Sequence, residues 1–290
     1  MPHGTHCVVR EAARSIAAVV LGALTALPAP ADAAGSRVSR DLSNTGALAL
    51  GLETGGAVVT FATYSIGAGD PPGTCHWCDP AGFDTGLHDA LVVGDLRLAA
   101  TLSHVPPYVL LPVGSLAGLM IPAYAAGEGG HAWENAWMVL NTTLLTFGLT
   151  DGTKKLVARQ RPAFHYGHEA DTEFSEAPKE ANLSFFSGDT SIAFELAASG
   201  ATLAYLRGYA TAPWIAAVGG TLALSTAVLR VAAEAHWPSD VLTGAAVGTG
   251  VGVGLPLLLH RRSDRRDGVS VQAVPILTGG RIGVVVSGAL

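Results

Sequence analysis

Residues 224–243 read LSTAVLRVAAEAHWPSDVLT. An apolar run carries Arg230; five residues separate it from His236, three more separate His236 from Asp240, and a second apolar run begins there. Pro238 suits the first turn of a helix, where its missing N–H costs nothing. Asp240 then falls in that first turn, with His236 just ahead of it. This placement lets Asp240 accept from one imidazole nitrogen and fix the tautomer, leaving the other nitrogen free to attack an electrophile.

Two earlier stretches supply complementary chemistry. Lys154 and Arg161 are seven residues apart, two helical turns, and so share a face. Pro162 ends that helix, and Lys155 points elsewhere. An arginine fork and a lysine point charge together clamp an anion such as a phosphoryl group. Ser187-Gly188-Asp189 precedes another apolar run. There a glycine turn opens a helix whose free N–H groups attract anions.

Around these stretches the chain of 290 residues is 49% hydrophobic and 14% charged, with a formal net charge of −6. Soluble domains carry about 25% charged residues, so a membrane or deeply buried helical protein is expected. The acidic balance gives no footprint for nucleic acid. Apolar segments span residues 47–66, 106–124, 131–152, 190–205, 212–232 and 241–260. The expected fold is all-α, a membrane-embedded bundle of about six helices with its site at one end. A buried bundle in water is the other reading of the same segments. Residues 67–95 and 162–186 read as polar loops. A short β-hairpin is expected in residues 269–290, around Thr278-Gly279-Gly280.

Residues 1–34 have the form of a secretory signal: Arg10 and Arg14, an apolar core, then Ala31-Asp32-Ala33. A retained first membrane helix is the alternative. The expected domains are thus 1–34, 35–262 and 263–290. Export would let Cys75 and Cys78 pair as a disulfide. Topology conflicts with cleavage. Arg261, Arg262, Arg265 and Arg266 belong on the cytoplasmic side, and counting back through six spans puts residues 36–44 inside as well.

Taken together, Lys154…Arg161-Pro162, Ser187-Gly188-Asp189 and Arg230…His236…Asp240 resemble the signature of the type-2 phosphatidic acid phosphatase superfamily, related to vanadium haloperoxidases. The resemblance covers roughly residues 134–258. It implies a helical bundle in which His236 is the nucleophile, forming a phosphohistidine, and Asp240 orients it. Lys154, Arg161, Ser187, Gly188 and Arg230 would hold the phosphoryl group, with no metal or other cofactor. The implied substrate is a phosphorylated lipid or small phosphomonoester at a membrane of the cell envelope, with an extracytoplasmic site. Two positions depart from the family: Leu229, where the family often has serine, is a minor loss, and Asp189 is the serious one. Asp189 stands where the family has the histidine that protonates the leaving group, and a carboxylate among cations is a poor acid. That leaves three readings: a slow phosphatase, a phosphate- or lipid-binding relative disabled at Asp189, and a vanadate-dependent haloperoxidase. His165 and His168, close in sequence to Arg161, are the expected substitutes for the acid.

Overall fold

The computed structural model describes residues 39–66 and 69–261, together with the backbone of 270–278 and 281–289. Residues 1–34, with the signal-like stretch, lie outside the described residues. The expected C-terminal hairpin is not established, since Gly279-Gly280 at its turn also lies outside them.

The described chain between residues 39 and 261 is a helical bundle. In chain order it comprises α1 (Ala47–Phe61), α2 (Gly82–Leu91), α3 (Leu96–Val105), α4 (Leu111–Ala125), α5 (Gly129–Val157), α6 (Pro162–Tyr166), α7 (Gly188–Arg207), α8 (Ala212–Ala232) and α9 (Pro238–Leu259). A wide π turn, Ala62–Ile66, continues α1, and a second, Pro106–Leu110, joins α3 to α4. Pro106 and Pro107 lack the N–H groups that an ordinary α turn would use, which accounts for the widening there.

Among the described residues, four segments are long and apolar enough to cross a membrane: Ala47–Ile66, Leu96–Ala125, Ala212–Ala232 and Pro238–Leu259. Their outer faces expose Leu48, Val59, Val113, Ile121, Leu224 and Leu258, an apolar surface that suits lipid better than water. These helices place the chain at a membrane. Of the six expected apolar segments, four fall on these helices. The other two long helices, α5 and α7, carry more charge: Glu134, Asp151 and Lys154 on α5, and on α7 the buried Asp189, Glu195 and Arg207. Helices surrounded by other helices can be polar inside because protein, not lipid, meets their side chains.

Of these, α7 is the central helix, packed against α4, α5, α8 and α9. Its closest neighbour is α9, and the reason lies in three glycines four residues apart. A Cβ added at Gly244, Gly248 or Gly252 would lie 2.6, 2.0 and 2.6 Å from the carbonyl oxygens of Ser187, Ser191 and Glu195. Only glycine permits that approach. At the far end of α7, buried Arg207 meets Glu134 at 2.5 Å, Asn135 at 2.9 Å and the Arg40 carbonyl at 2.9 Å. The helix is therefore pinned at both ends, and its N-terminus is held against the start of α9.

Gly248→Ala is expected to force α9 off α7 and lower stability by about 1–3 kcal/mol or more. Gly250→Ala, with open space around it, is the matched control. Equal unfolding midpoints for the two variants in detergent would refute this account of the packing.

The loop expected over residues 67–95 contains α2, hidden in the sequence by its Gly- and Asp-rich composition. Its Asp84 and His88 are buried. The second apolar segment begins ten residues earlier than expected, at Leu96, and runs without a break to Ala125.

Candidate active site

The imidazole of His236 is 1% exposed. It stands in the short connection between α8 and α9, where Glu234 takes a left-handed conformation (φ +57°) and the N–H groups of Ala235 and His236 both return to the Arg230 carbonyl, at 3.1 and 3.2 Å. Glu234 is pinned in turn, with His168 Nδ1 at 2.9 Å and His88 Nε2 at 3.5 Å. A strained residue tied on both sides sets the ring's position.

Which nitrogen holds the proton follows from the partners. Nδ1 lies 2.7 Å from the carbonyl oxygen of Ser184; a carbonyl only accepts, so Nδ1 carries the hydrogen. Nε2 keeps its lone pair, and Arg161 Nη1 lies 3.3 Å from it. The sequence placed Asp240 on the ring directly. Instead, its Oδ2 stays 3.8 Å from Nδ1 and binds Ser184 Oγ at 2.5 Å and the Trp237 N–H at 2.9 Å. Asp240 thus orients His236 through the residue that holds it. The other oxygen, Oδ1, accepts from Arg159 Nη1.

Arg161, at the N-terminus of α6, is 2% exposed. It donates to the carbonyls of Ala235 and Glu180, both at 2.9 Å, and to the Glu180 carboxylate at 3.1 Å. Lys154 reaches the same region from α5: a Cβ at Gly188 would lie 3.5 Å from its Nζ. Lys155 turns away to the Ser65 carbonyl and Asp151. Arg230, near the end of α8, pairs with Asp189 Oδ2 at 3.0 Å and with Glu173 Oε1 at 2.7 Å. Three cations and one imidazole therefore gather at the end of the bundle where α7 and α9 begin.

Three expected residues have other partners. Ser187 caps α7: its hydroxyl donates to Thr190 Oγ1 at 2.9 Å and accepts from the Thr190 N–H at 3.4 Å. Gly188, rather than that hydroxyl, fronts Lys154. His165 is exposed with its ring edge-on to Trp237, and His168 is bound to Glu234. Neither contacts Asp189, so nearness in sequence to Arg161 did not become nearness to the site's acid position.

Several site residues escaped the sequence. Tyr108 donates to Asp189 Oδ1 at 2.6 Å, and His104 Nε2 lies 3.6 Å from Asp189 Oδ2. They sit four residues apart in an apolar helix, a same-face polar pair that was the available signal. Arg159 was hidden inside a basic stretch that reads as an ordinary helix end. It is 1% exposed and bridges Asp84 and Asp240, with the Trp77 ring 3.8 Å from its guanidinium. Trp77 lies inside the Cys75–Cys78 disulfide loop.

Residues 135–264 match the PAP2 superfamily. A curated relative, "Lipid A 1-phosphatase" of Porphyromonas gingivalis, is 44% identical over 145 residues, which is 48% of this chain and 28% of that protein. The chain thus spans well under half the length of the relative it matches. No solved structure matches the chain. The match runs from α5 past α9 and takes in all three motif stretches, so residues 135–264 are a PAP2 superfamily region.

Proposed function

We propose that the chain hydrolyses a phosphomonoester or diphosphate, carried on a lipid, through a phosphohistidine at His236 and without a metal. The observation that carries this is the ring itself. Its protonated nitrogen is fixed on the Ser184 carbonyl, and its bare Nε2 faces Arg161. In the first step the Nε2 lone pair forms a bond to phosphorus and the P–O bond to the leaving oxygen breaks. Water then attacks phosphorus, and the N–P bond returns its electrons to the ring. Arg161, Arg230, Lys154 and the Gly188 N–H would face the phosphoryl oxygens, where fixed cations lower the barrier by positioning and charge.

The lipid assignment is supported by the apolar outer helices and by the relative's name. Asp189 favours a second reading. Bound by Arg230 and Tyr108, it is a carboxylate rather than an acid, which suits a slow enzyme or a phosphate-binding relative. The test is turnover of p-nitrophenyl phosphate and a lipid phosphate in detergent, with acid-labile phosphate trapped on His236. Binding of vanadate with no turnover of either substrate would replace the enzyme with the binder.

An extracytoplasmic site is part of the proposal. The Cys75–Cys78 disulfide lies at the site end and suits an oxidising compartment. At the opposite end the Arg261 carbonyl accepts from the Ser43 N–H at 2.8 Å, which supports a reading in which residues 39–44 share the cytoplasmic side expected for Arg261. Reporter fusions after Asn44 reading extracytoplasmic would reverse that orientation.

A further inference from the structure

The reaction proposed above lacks a proton donor for its leaving group. When Nε2 of His236 displaces an alkoxide, the departing oxygen takes the electron pair of the P–O bond and needs a proton to leave as an alcohol. Asp189 has none to give, held as it is by Arg230 Nε at 3.0 Å and by the Tyr108 hydroxyl at 2.6 Å. Tyr108 has committed its proton to Asp189, and the arginines never release theirs. Among the described side chains around Asp189 and Arg230, one ring remains.

His104 projects from α3 beside this cluster. Its Nε2 lies 3.0 Å from Arg230 Nη1, 3.5 Å from Glu173 Oε2 and 3.6 Å from Asp189 Oδ2. The guanidinium only donates, so here Nε2 accepts; Arg230 gives up that contact when its N–H groups turn to a phosphoryl group. A proton on Nε2 then has two carboxylates within reach. The side chain is 40% exposed, more open than Glu173, Asp189 or Arg230. It opens on a cavity of about 460 Å³ lined also by Arg97, Thr101, Thr172 and Glu173. A cavity of this size suits the non-phosphoryl part of a substrate. His104 lines that space and touches Arg230 Nη1, so an ester held by Arg230 with its organic part in the cavity would bring its bridging oxygen near this ring.

We infer that His104, supplied by α3 rather than by the start of α7, is the catalytic acid that protonates the leaving group, with Asp189 and Glu173 positioning its ring. This rests on the phosphohistidine reading. As the P–O bond breaks, the proton on Nε2 passes to the departing oxygen and the alcohol leaves. The released phosphate carries both protons of the water that attacks phosphorus, and the neutral ring, open to solvent, regains its proton from there. His236 is regenerated and inorganic phosphate is released.

The test uses full-length protein in detergent with two substrates. p-Nitrophenyl phosphate has a leaving group that departs without a proton, whereas an alkyl phosphate needs one. His104→Gln is expected to lower alkyl phosphate turnover by about 10²-fold or more, the low end for general acid catalysis, and to leave p-nitrophenyl phosphate turnover nearly unchanged. Adding Asp189→His to that variant places an imidazole on the same cluster from α7 and should restore alkyl phosphate hydrolysis. If both substrates slow equally, or neither does, His104 is no acid and the inference falls while the phosphatase stands. If the unaltered protein turns over neither substrate, the phosphatase reading falls and this inference with it.

Discussion

Arg159→Met is expected to lower stability by about 3–5 kcal/mol, the usual loss when one partner of a buried ion cluster is removed. The side chain sits between two carboxylates that water does not reach: Asp84 is 1% exposed and Asp240 is fully buried. Nη2 meets Asp84 Oδ2 at 2.7 Å, while Nη1 holds Asp240 and donates to Ser239 Oγ at 2.7 Å. With methionine in place, shape is roughly kept but two negative charges face each other unpaired. At about 2–4 °C per kcal/mol for a chain of this size, the unfolding midpoint falls by roughly 6–20 °C. Asp84→Asn in the same background removes one of the two charges and should recover part of the loss. A drop of less than about 1 kcal/mol, the range of a surface pair, would show that the cluster does not hold the fold. Activity should fall as well, because Asp240 fixes Ser184, and Ser184 fixes His236.

That chain of contacts marks the boundary of what the sequence makes legible. Helix positions follow from apolar runs and from Pro213 and Pro238 near the starts of α8 and α9, so α8 falls on the expected residues and α9 begins three residues early. His236, Arg161 and Arg230 stand out by residue type, and each sits where a helix ends or begins. The expected shared helix face of Lys154 and Arg161 is corrected, because α5 ends at Val157 and Ala158 turns left-handed. Tertiary partners are another matter. Nothing local links Asp84 to Arg159, or His104 to Asp189; only the folding of α2 and α3 against the start of α7 and α9 does so. The carbonyl of Ser184 displaces Asp240 as the partner of Nδ1 for the same reason. Backbone acceptors carry no mark in the side-chain code. Hydropathy registers composition alone, so α7, which hides its polar residues among neighbouring helices instead of lacking them, is one of the two weaker among the expected apolar segments.

His236→Gln is expected to abolish turnover, by at least about 10⁴-fold, since losing a nucleophile leaves only binding and fixed charge. Glutamine keeps a donor for the Ser184 carbonyl and an acceptor toward Arg161, so the cradle persists and vanadate should still bind. A second signature separates this variant from one that merely misfolds. Burial disfavours the charged imidazole, and Arg161, Lys154 and Arg230 disfavour it further, which holds the His236 pKa well below its usual 6.5. In the unfolded chain the same ring titrates near 6.5. Below that pH the unfolded state binds a proton that the folded state refuses, so this residue costs stability as the solution is acidified and contributes nothing above. Glutamine has no such proton. The variant should therefore lose less stability than the unaltered protein between about pH 7 and pH 5, while being inactive across the range. The same depression keeps Nε2 bare in mildly acidic solution, so kcat/KM for p-nitrophenyl phosphate should lose none of its nucleophile as pH drops through 6.5. Parallel stability curves for the two proteins would mean that His236 is not the buried neutral base on which the phosphohistidine depends.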